Sequence, residues 1–358
     1  MGAIIFVGRE TDAAETRVAA SPETVKKLTS LGCDVTVEEG AGASSRILDS
    51  DFESAGATIV KAEDVKKADV VLRVRRPSAD DARMMKSGAI LLTQMDPYGN
   101  EEALKPFAEA GVTAFAMELM PRITRAQSMD VLSSQANLAG YQAVIEAAAS
   151  FGRAFPMMMT AAGTVPAAKA FVMGAGVAGL QAIATARRLG AAGSATDVRP
   201  AAKEQVASLG AKFIAVEDEE FKAAETSGGY AKEMSKEYQA KQAALVADHI
   251  SKQDIVVTTA LIPGRPAPKL ISADMLKSMR EGSVVVDLAV ERGGNVEGSV
   301  MGEAAKVGGV TVIGYPNLAG RIPASASLLY AKNLLTFLQT MIDKETQEVR
   351  VDMEDELV

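Results

Sequence analysis

The feature that most narrows what this chain can fold into is the stretch 169–197, KAFVMGAGVAGLQAIATARRLGAAGSATD. It opens on a short apolar run, 170–173, too short for a helix and of the right length for a buried strand. Gly174, Gly176 and Gly179 follow at GxGxxG spacing, with Val177 and Ala178 inside the motif. Leu180, Ile183, Ala184 and Leu189 then recur at helical spacing, and a second small run ends on Asp197. Strand, glycine turn, helix, strand and acid, in that order, form the fingerprint of a dinucleotide-binding βαβ unit. The first glycine permits the tight turn, the second lets a pyrophosphate approach the backbone, and the third lets helix and strand pack closely. The helix N-terminus faces the phosphates. Asp197 is placed to accept hydrogen bonds from the adenosine ribose hydroxyls, which favours NAD(H) over NADP(H). Val198 and Arg199 continue the same loop, and Arg199 is a group that could receive a 2′-phosphate. On the motif alone, a glycine-rich turn in an ordinary βαβ unit is the alternative.

A chain of 358 residues has room for two domains with full cores. Its 48% hydrophobic and 23% charged residues are the proportions of a globular protein. The net charge of −8, with no long Lys/Arg cluster, argues against a nucleic-acid face. The single cysteine, Cys33, excludes an intramolecular disulfide and reads as a small buried hydrophobe. The single histidine, His249, stands just before a strand and reads as structural; one Cys and one His leave no Cys/His metal set. The start, MGAIIFVGRE, lacks the features of a signal peptide. The longest uncharged run, 170–186, falls short of the ~20 residues of a membrane helix and contains the glycine turn. No direct membrane span is expected.

In chain order, 3–7, 34–38, 70–74, 89–93 and 112–117 predict strands, with helices at 24–31 and 101–110. This alternation predicts a parallel, doubly wound sheet that carries no glycine fingerprint. A long helix is predicted over 126–150. Further strands are predicted at 170–173, 194–197, 212–215, 254–259, 283–287 and 310–313, and a last long helix at 325–342. Between the third and fourth of these strands lies a polar stretch, 217–248, whose cluster Ser227-Gly228-Gly229-Tyr230 reads as a hinge. The fold class expected is α/β: two Rossmann-like, doubly wound parallel-sheet domains joined by long helices. The first is discontinuous, 1–132 with 320–358, and the second, 133–319, is inserted in it.

Longer motifs carry a resemblance. GRETDAAETRVAASPETV at the start looks like the N-terminal signature of alanine dehydrogenases and nicotinamide nucleotide transhydrogenases. PRITRAQSMDVLSSQANLAGYQAV, VMGAGVAGLQA, GGYAKEMS, DIVVTTALIPGRPAPKLI and GSVVVDLAVERGGNVEG resemble the NAD(H)-binding component, domain I, of proton-translocating transhydrogenases. The likeness covers nearly the whole chain. It implies a homodimer that passes hydride directly from NADH to NADP⁺ on a separate domain III. A membrane domain II couples this to proton movement, so the location implied is cytoplasmic and peripheral on the inner membrane. By resemblance, Arg122, Asp130 and Ser133 hold the nicotinamide side of NADH and Gln127 reaches toward the partner's nucleotide. Tyr230, after Gly229, closes over the adenosine side, while Ala260 and Leu261 complete the NAD(H) site. Read from the residues alone, Ser128 and Asp130 serve equally well as a helix-capping cluster, and Tyr230 as part of a solvent loop.

The chain departs from the alanine dehydrogenase pattern where that enzyme handles its substrate. Asp96 stands in place of its acid/base histidine, Arg75 in place of its lysine, and Glu291 in place of its catalytic aspartate. Arg17 is kept. An arginine stays protonated and is no general base. Two rival readings stay open at this point: a free-standing amino-acid dehydrogenase, and a non-catalytic NAD(H) sensor.

Overall fold

The computed structural model describes residues 2–223, 234–262, 264–343 and 345–358. The chain divides into two compact units, 1–135 with 319–358, and 136–318. In the first unit β1 (Ile4–Val7) leads to α1 (Pro22–Ser30), β2 (Asp34–Glu38), α2 (Asp49–Ser54), β3 (Thr58–Val60), β4 (Val70–Arg75) and α3 (Ala79–Met84). Then come β5 (Ile90–Gln94), α4 (Lys105–Glu109) and β6 (Thr113–Ala116), and the chain enters α5 (Val131–Ser150). Six parallel strands lie in the order β3-β2-β1-β4-β5-β6.

The strands alternate sides, and both sides are apolar. Ile5, Val7, Val70, Leu72 and Val74 join one core cluster, while Phe6, Val71 and Leu91 join another. Burial on both faces is what a parallel sheet with crossover helices requires. Helix α1 starts where Ser21 caps it: the Ser21 hydroxyl accepts from the Thr24 N–H at 3.3 Å, the Thr24 hydroxyl accepts from the Ser21 N–H, and Pro22 opens the first turn.

The second unit opens with the antiparallel hairpin β7 (Met158–Thr160) and β8 (Gly163–Val165). There follow β9 (Lys169–Met173), α6 (Val177–Arg188), β10 (Ala192–Thr196), α7 (Ala202–Ser208), β11 (Lys212–Phe213), α8 (Glu219–Lys222) and α9 (Lys236–Ile250). The unit closes with β12 (Ile255–Thr258), α10 (Ala273–Ser278), β13 (Val284–Asp287), β14 (Ala304–Val307) and β15 (Val310–Ile313). Helix α11 (Pro323–Leu338) belongs to the first unit. The sheet order is β11-β10-β9-β12-β13-β15-β14, parallel except for the edge strand β14. Ala170, Val172, Val257 and Val286 face one cluster; Phe171, Met173, Val256 and Val285 face the other. The doubly wound parallel architecture expected from the sequence is the one observed.

Several local expectations need correction. The predicted helix over 126–150 begins only at Val131, and Thr124–Met129 winds as a 3₁₀ turn before it. The stretch 101–110 is a 3₁₀ turn, Glu101–Leu104, followed by the short α4. The polar stretch 217–248 holds α8 and most of α9, whose Tyr238 is buried and donates its hydroxyl to the Val216 carbonyl at 3.0 Å. Strand β3, the hairpin β7–β8 and the antiparallel β14 are additions. His249 is structural: its Nε2 lies 2.9 Å from the Ser194 hydroxyl and its ring stands edge-on to Phe171. Cys33 is buried in the first core.

Candidate functional site

In an open α/β sheet, ligands bind outside the carboxyl ends of the strands, where the strand order reverses. In the second unit that point lies between β9 and β12. The glycine turn leaves β9 there, and each glycine has its own geometric reason. Gly174 has φ +104°, which favours a residue without Cβ, and a Cβ would lie 2.4 Å from the Thr259 hydroxyl. A Cβ on Gly179 would lie 1.8 Å from the Gly174 carbonyl oxygen, so helix α6 packs on the turn only without one. At Gly176 a Cβ would meet nothing within 4 Å. Gly176 is the N-cap of α6 and offers no side-chain capping bond to the first turn. The open approach and the first-turn N–H groups of Val177, Ala178 and Gly179 form an anion cradle of the kind a pyrophosphate fills. The residues here fit a dinucleotide.

Asp197 follows β10 and is more committed than its position in the sequence suggests. Its Oδ2 accepts the Ala175 N–H at 2.7 Å and Arg199 Nη2 at 3.0 Å; its Oδ1 accepts the Arg199 N–H and Nε, both at 2.9 Å. Four bonds use the acceptor sites of a carboxylate. A ribose hydroxyl therefore has to displace part of the Arg199 clasp. Val198 is exposed beside it. On the other side of the switch point, the Thr259 hydroxyl donates to the Gly174 carbonyl at 3.1 Å, and Ala260 and Leu261 continue outward, Leu261 exposed. Gly229 and Tyr230 lie outside the described residues.

In the first unit, Asp130 caps α5. Its Oδ1 accepts the Ser133 N–H at 2.9 Å, and its Oδ2 accepts the Ser133 hydroxyl. The structure thus brings Asp130 and Ser133 together as the capping reading requires. Arg122 and Gln127 are exposed, Gln127 on the 3₁₀ turn.

The first sheet reverses between β1 and β4, and its switch point is filled by the chain's own ions. Arg17 grips Glu15 with Nε and Nη2, each at 2.7 Å, and Arg75 Nε adds a third bond at 2.8 Å. Arg17 Nη1 donates to Gln135 at 2.8 Å, and its guanidinium lies over the Tyr330 ring. Burial would raise the Glu15 pKa, but the hydrogen bonds and charge of Arg17, with Arg75, outweigh it and bring it down to about 2. Beside it Glu10 accepts from Arg73 Nε and from the N–H groups of Val74 and Arg75; burial there outweighs Arg73 and the pKa is raised. Asp96 sits on a left-handed turn, φ +47°, bonded to Asn100, and Glu291 accepts the Asn317 N–H. Sequence reasoning missed Glu15, Thr259 and the buried pair Asp287 and Asn295 behind the loop after β12. The only signals were an acid ending an apolar strand and an Asn after two glycines. Among the described residues no group of acids, His and Cys is arranged to hold a metal, and no helix is long and apolar enough to cross a membrane.

Two family models cover the chain: alanine dehydrogenase/PNT, N-terminal domain, over 6–139, and alanine dehydrogenase/PNT, C-terminal domain, over 143–358. The chain is 53% identical to the first of the separately encoded pieces of the NAD(P) transhydrogenase alpha subunit of Rhodospirillum rubrum, over 99% of this chain and 94% of that protein. A crystal structure of transhydrogenase from Sinorhizobium meliloti matches it with a TM-score of 0.91 at 67% identity, over 99% of this chain and 96% of that one. "Alanine dehydrogenase 1" of Staphylococcus aureus is more distant, 28% identical over 98% of this chain and 91% of that protein. With a dinucleotide turn at one switch point, a self-filled switch point at the other, and both family models matched in order, the chain belongs to the alanine dehydrogenase/PNT family and lies nearer its transhydrogenase alpha subunits than its alanine dehydrogenases.

Proposed function

We propose that this chain is the NAD(H)-binding component of a proton-translocating, Re/Si-specific NAD(P)⁺ transhydrogenase. The observation that carries the cofactor half is the glycine turn, where Gly174 and Gly179 exclude a Cβ on packing grounds and Gly176 has open space. Bound NADH supplies the hydride. The α6 first-turn N–H groups hold the pyrophosphate, and Asp197 takes the ribose hydroxyls as Arg199 yields, which disfavours a 2′-phosphate by like charge. Arg122, Asp130 and Ser133 engage the nicotinamide carboxamide, Arg122 as donor and Asp130 as acceptor, and Ser133 keeps the Asp130 carboxylate oriented. Gln127, exposed on its 3₁₀ turn, faces the NADP(H) held by domain III. Hydride passes directly between two positioned rings, so the protein's task is orientation and exclusion of water rather than acid–base chemistry.

In this reading the component works as a homodimer, cytoplasmic and peripheral on the inner membrane through domains II and III. The exposed Met157, Met158 and Met159 beside and on the β7–β8 hairpin are an apolar surface of the kind subunit contacts use. The amino-acid dehydrogenase reading is disfavoured by the Glu15 carboxylate, which already occupies Arg17 and Arg75. Mixing the protein with an NADP-binding domain III tests the proposal: transfer from NADH to an NADP⁺ analogue is expected, and no alanine oxidation. Absence of transfer, with NADH bound, would leave the sensor reading in its place.

A further inference from the structure

Asn295 is fully buried, and the roles described so far do not use it. Its side-chain amide is fully committed. Oδ1 accepts the Ala260 N–H at 3.1 Å, and Nδ2 donates to the Ala260 carbonyl and to the Pro268 carbonyl, both at 2.8 Å. Its own carbonyl accepts the N–H groups of Leu270 at 2.7 Å and Ile271 at 3.1 Å. One side chain therefore holds both polar groups of Ala260 and the far end of the stretch 260–268. Reversing the amide would set a donor against the Ala260 N–H, so the orientation is determined by the partners.

Asn295 is in turn aimed by Asp287, a fully buried carboxylate at the end of β13. Asp287 Oδ1 accepts the N–H of Ala289 at 2.9 Å and of Asn295 at 3.1 Å; Oδ2 accepts the N–H of Val296 at 3.2 Å. The intervening turn closes tightly on this group: Gly294 has φ +76°, and a Cβ there would lie 2.5 Å from Asp287 Oδ2. Toward the glycine turn, Thr259 bonds Gly174 through its hydroxyl and Met173 through its N–H. A continuous line of satisfied buried contacts thus runs from Asp287 through Asn295, Ala260 and Thr259 to Gly174. Beyond Ala260, Leu261 and Ile262 are held outward, 53% and 46% exposed, on the same edge as the glycine turn.

We infer that Asn295 is a positioning residue for the dinucleotide: it fixes Ala260 and Leu261 beside the glycine turn before the ligand arrives. This rests on the reading of that turn as the NAD(H) site. A loop already ordered gives up less conformational freedom on binding, so the gain appears in affinity. An aspartate here would keep the bond to the Ala260 N–H but would turn acceptors toward two carbonyls. A serine is smaller and cannot span both ends.

The test compares wild type, Asn295→Asp and Asn295→Ser by titration of NADH fluorescence and by transfer kinetics with domain III. In either folded variant the NADH dissociation constant and KM are expected to rise about tenfold, the scale of one lost hydrogen bond. The kcat at saturating NADH should stay within about threefold. Lowering the pH should restore part of the Asn295→Asp loss, because a neutral carboxyl donates one bond. Asn295→Ser is the measurement that stands if the aspartate variant does not fold. A folded variant with wild-type KM, or a loss confined to kcat, overturns the inference. Failure of the wild type to bind NADH would instead overturn the NAD(H) reading beneath it.

Discussion

Replacing Gly176 by alanine separates ligand approach from folding, because the three glycines of the turn differ in what a methyl would meet. At Gly179 the added Cβ would lie 1.8 Å from a backbone oxygen, and at Gly174 the backbone itself is left-handed. Both substitutions should destabilise the second unit by several kcal/mol, on the order of other overpacking and strain costs. Gly176 has ordinary angles, φ −75° and ψ −170°, and nothing within 4 Å of the new carbon. An alanine is a poorer N-cap than glycine, but it reduces unfolded-state entropy by about 0.4–1 kcal/mol, so the two terms nearly cancel. The melting temperature should therefore hold within a few degrees. The methyl occupies the space through which a pyrophosphate would reach the first turn of α6. Losing one charge-assisted hydrogen bond costs about 1.5–3 kcal/mol. The NADH dissociation constant should then rise about 10- to 150-fold. Titrating NADH fluorescence alongside a thermal melt reads both quantities. A Gly176→Ala protein that melts normally and binds NADH as tightly as wild type would refute the assignment of this turn to the phosphates.

Asp197→Ala should relax the preference for NADH, and because it also frees Arg199 from its clasp it should raise NADPH affinity; comparing both nucleotides by titration checks this, and an unchanged ratio counts against it. Gln127→Asn should slow single-turnover transfer to domain III with little change in NADH affinity, whereas Arg122→Ala should lower affinity and rate together. Glu15 predicts an acid response. Its folded pKa, about 2, lies below the ordinary 4.5, so the stabilisation is complete above pH 4.5 and is lost as pH falls toward 2. The difference corresponds to about 3 kcal/mol. Glu10, with a raised pKa, works in the opposite sense over its own titration. Glu15→Gln should therefore lower the melting temperature at pH 7 and flatten its decline in acid; an equally steep decline in the variant would show that another group carries it.

Features decided within a short stretch are legible in the residues. The βαβ unit around Gly174, Gly176 and Gly179 is one, because turn, helix start and strand length depend on neighbours in sequence. The apolar strands of both parallel sheets are legible for the same reason, since burial on two faces leaves unbroken runs such as VVVD and IVVT. Boundaries fail where two local structures share one pattern: Thr124–Met129 and the first turn of α5 both suit helical spacing, and the Asp130 cap sets the division between them. Short β3 and the edge strand β14 carry too little apolar signal to be read alone; each exists because a neighbouring strand offers it unpaired backbone groups. The contacts that give the sites their chemistry are out of the sequence's reach altogether. Arg199 clasps Asp197, Asn295 holds Ala260, and Arg17, Arg75 and Gln135 converge with Glu15. The sequence by itself determined which residue types were present and the turn that receives a dinucleotide. Only the tertiary structure decided which acids remain able to take a ligand and which already serve the protein, because hydrogen-bond partners distant in the chain meet only once the sheets have formed.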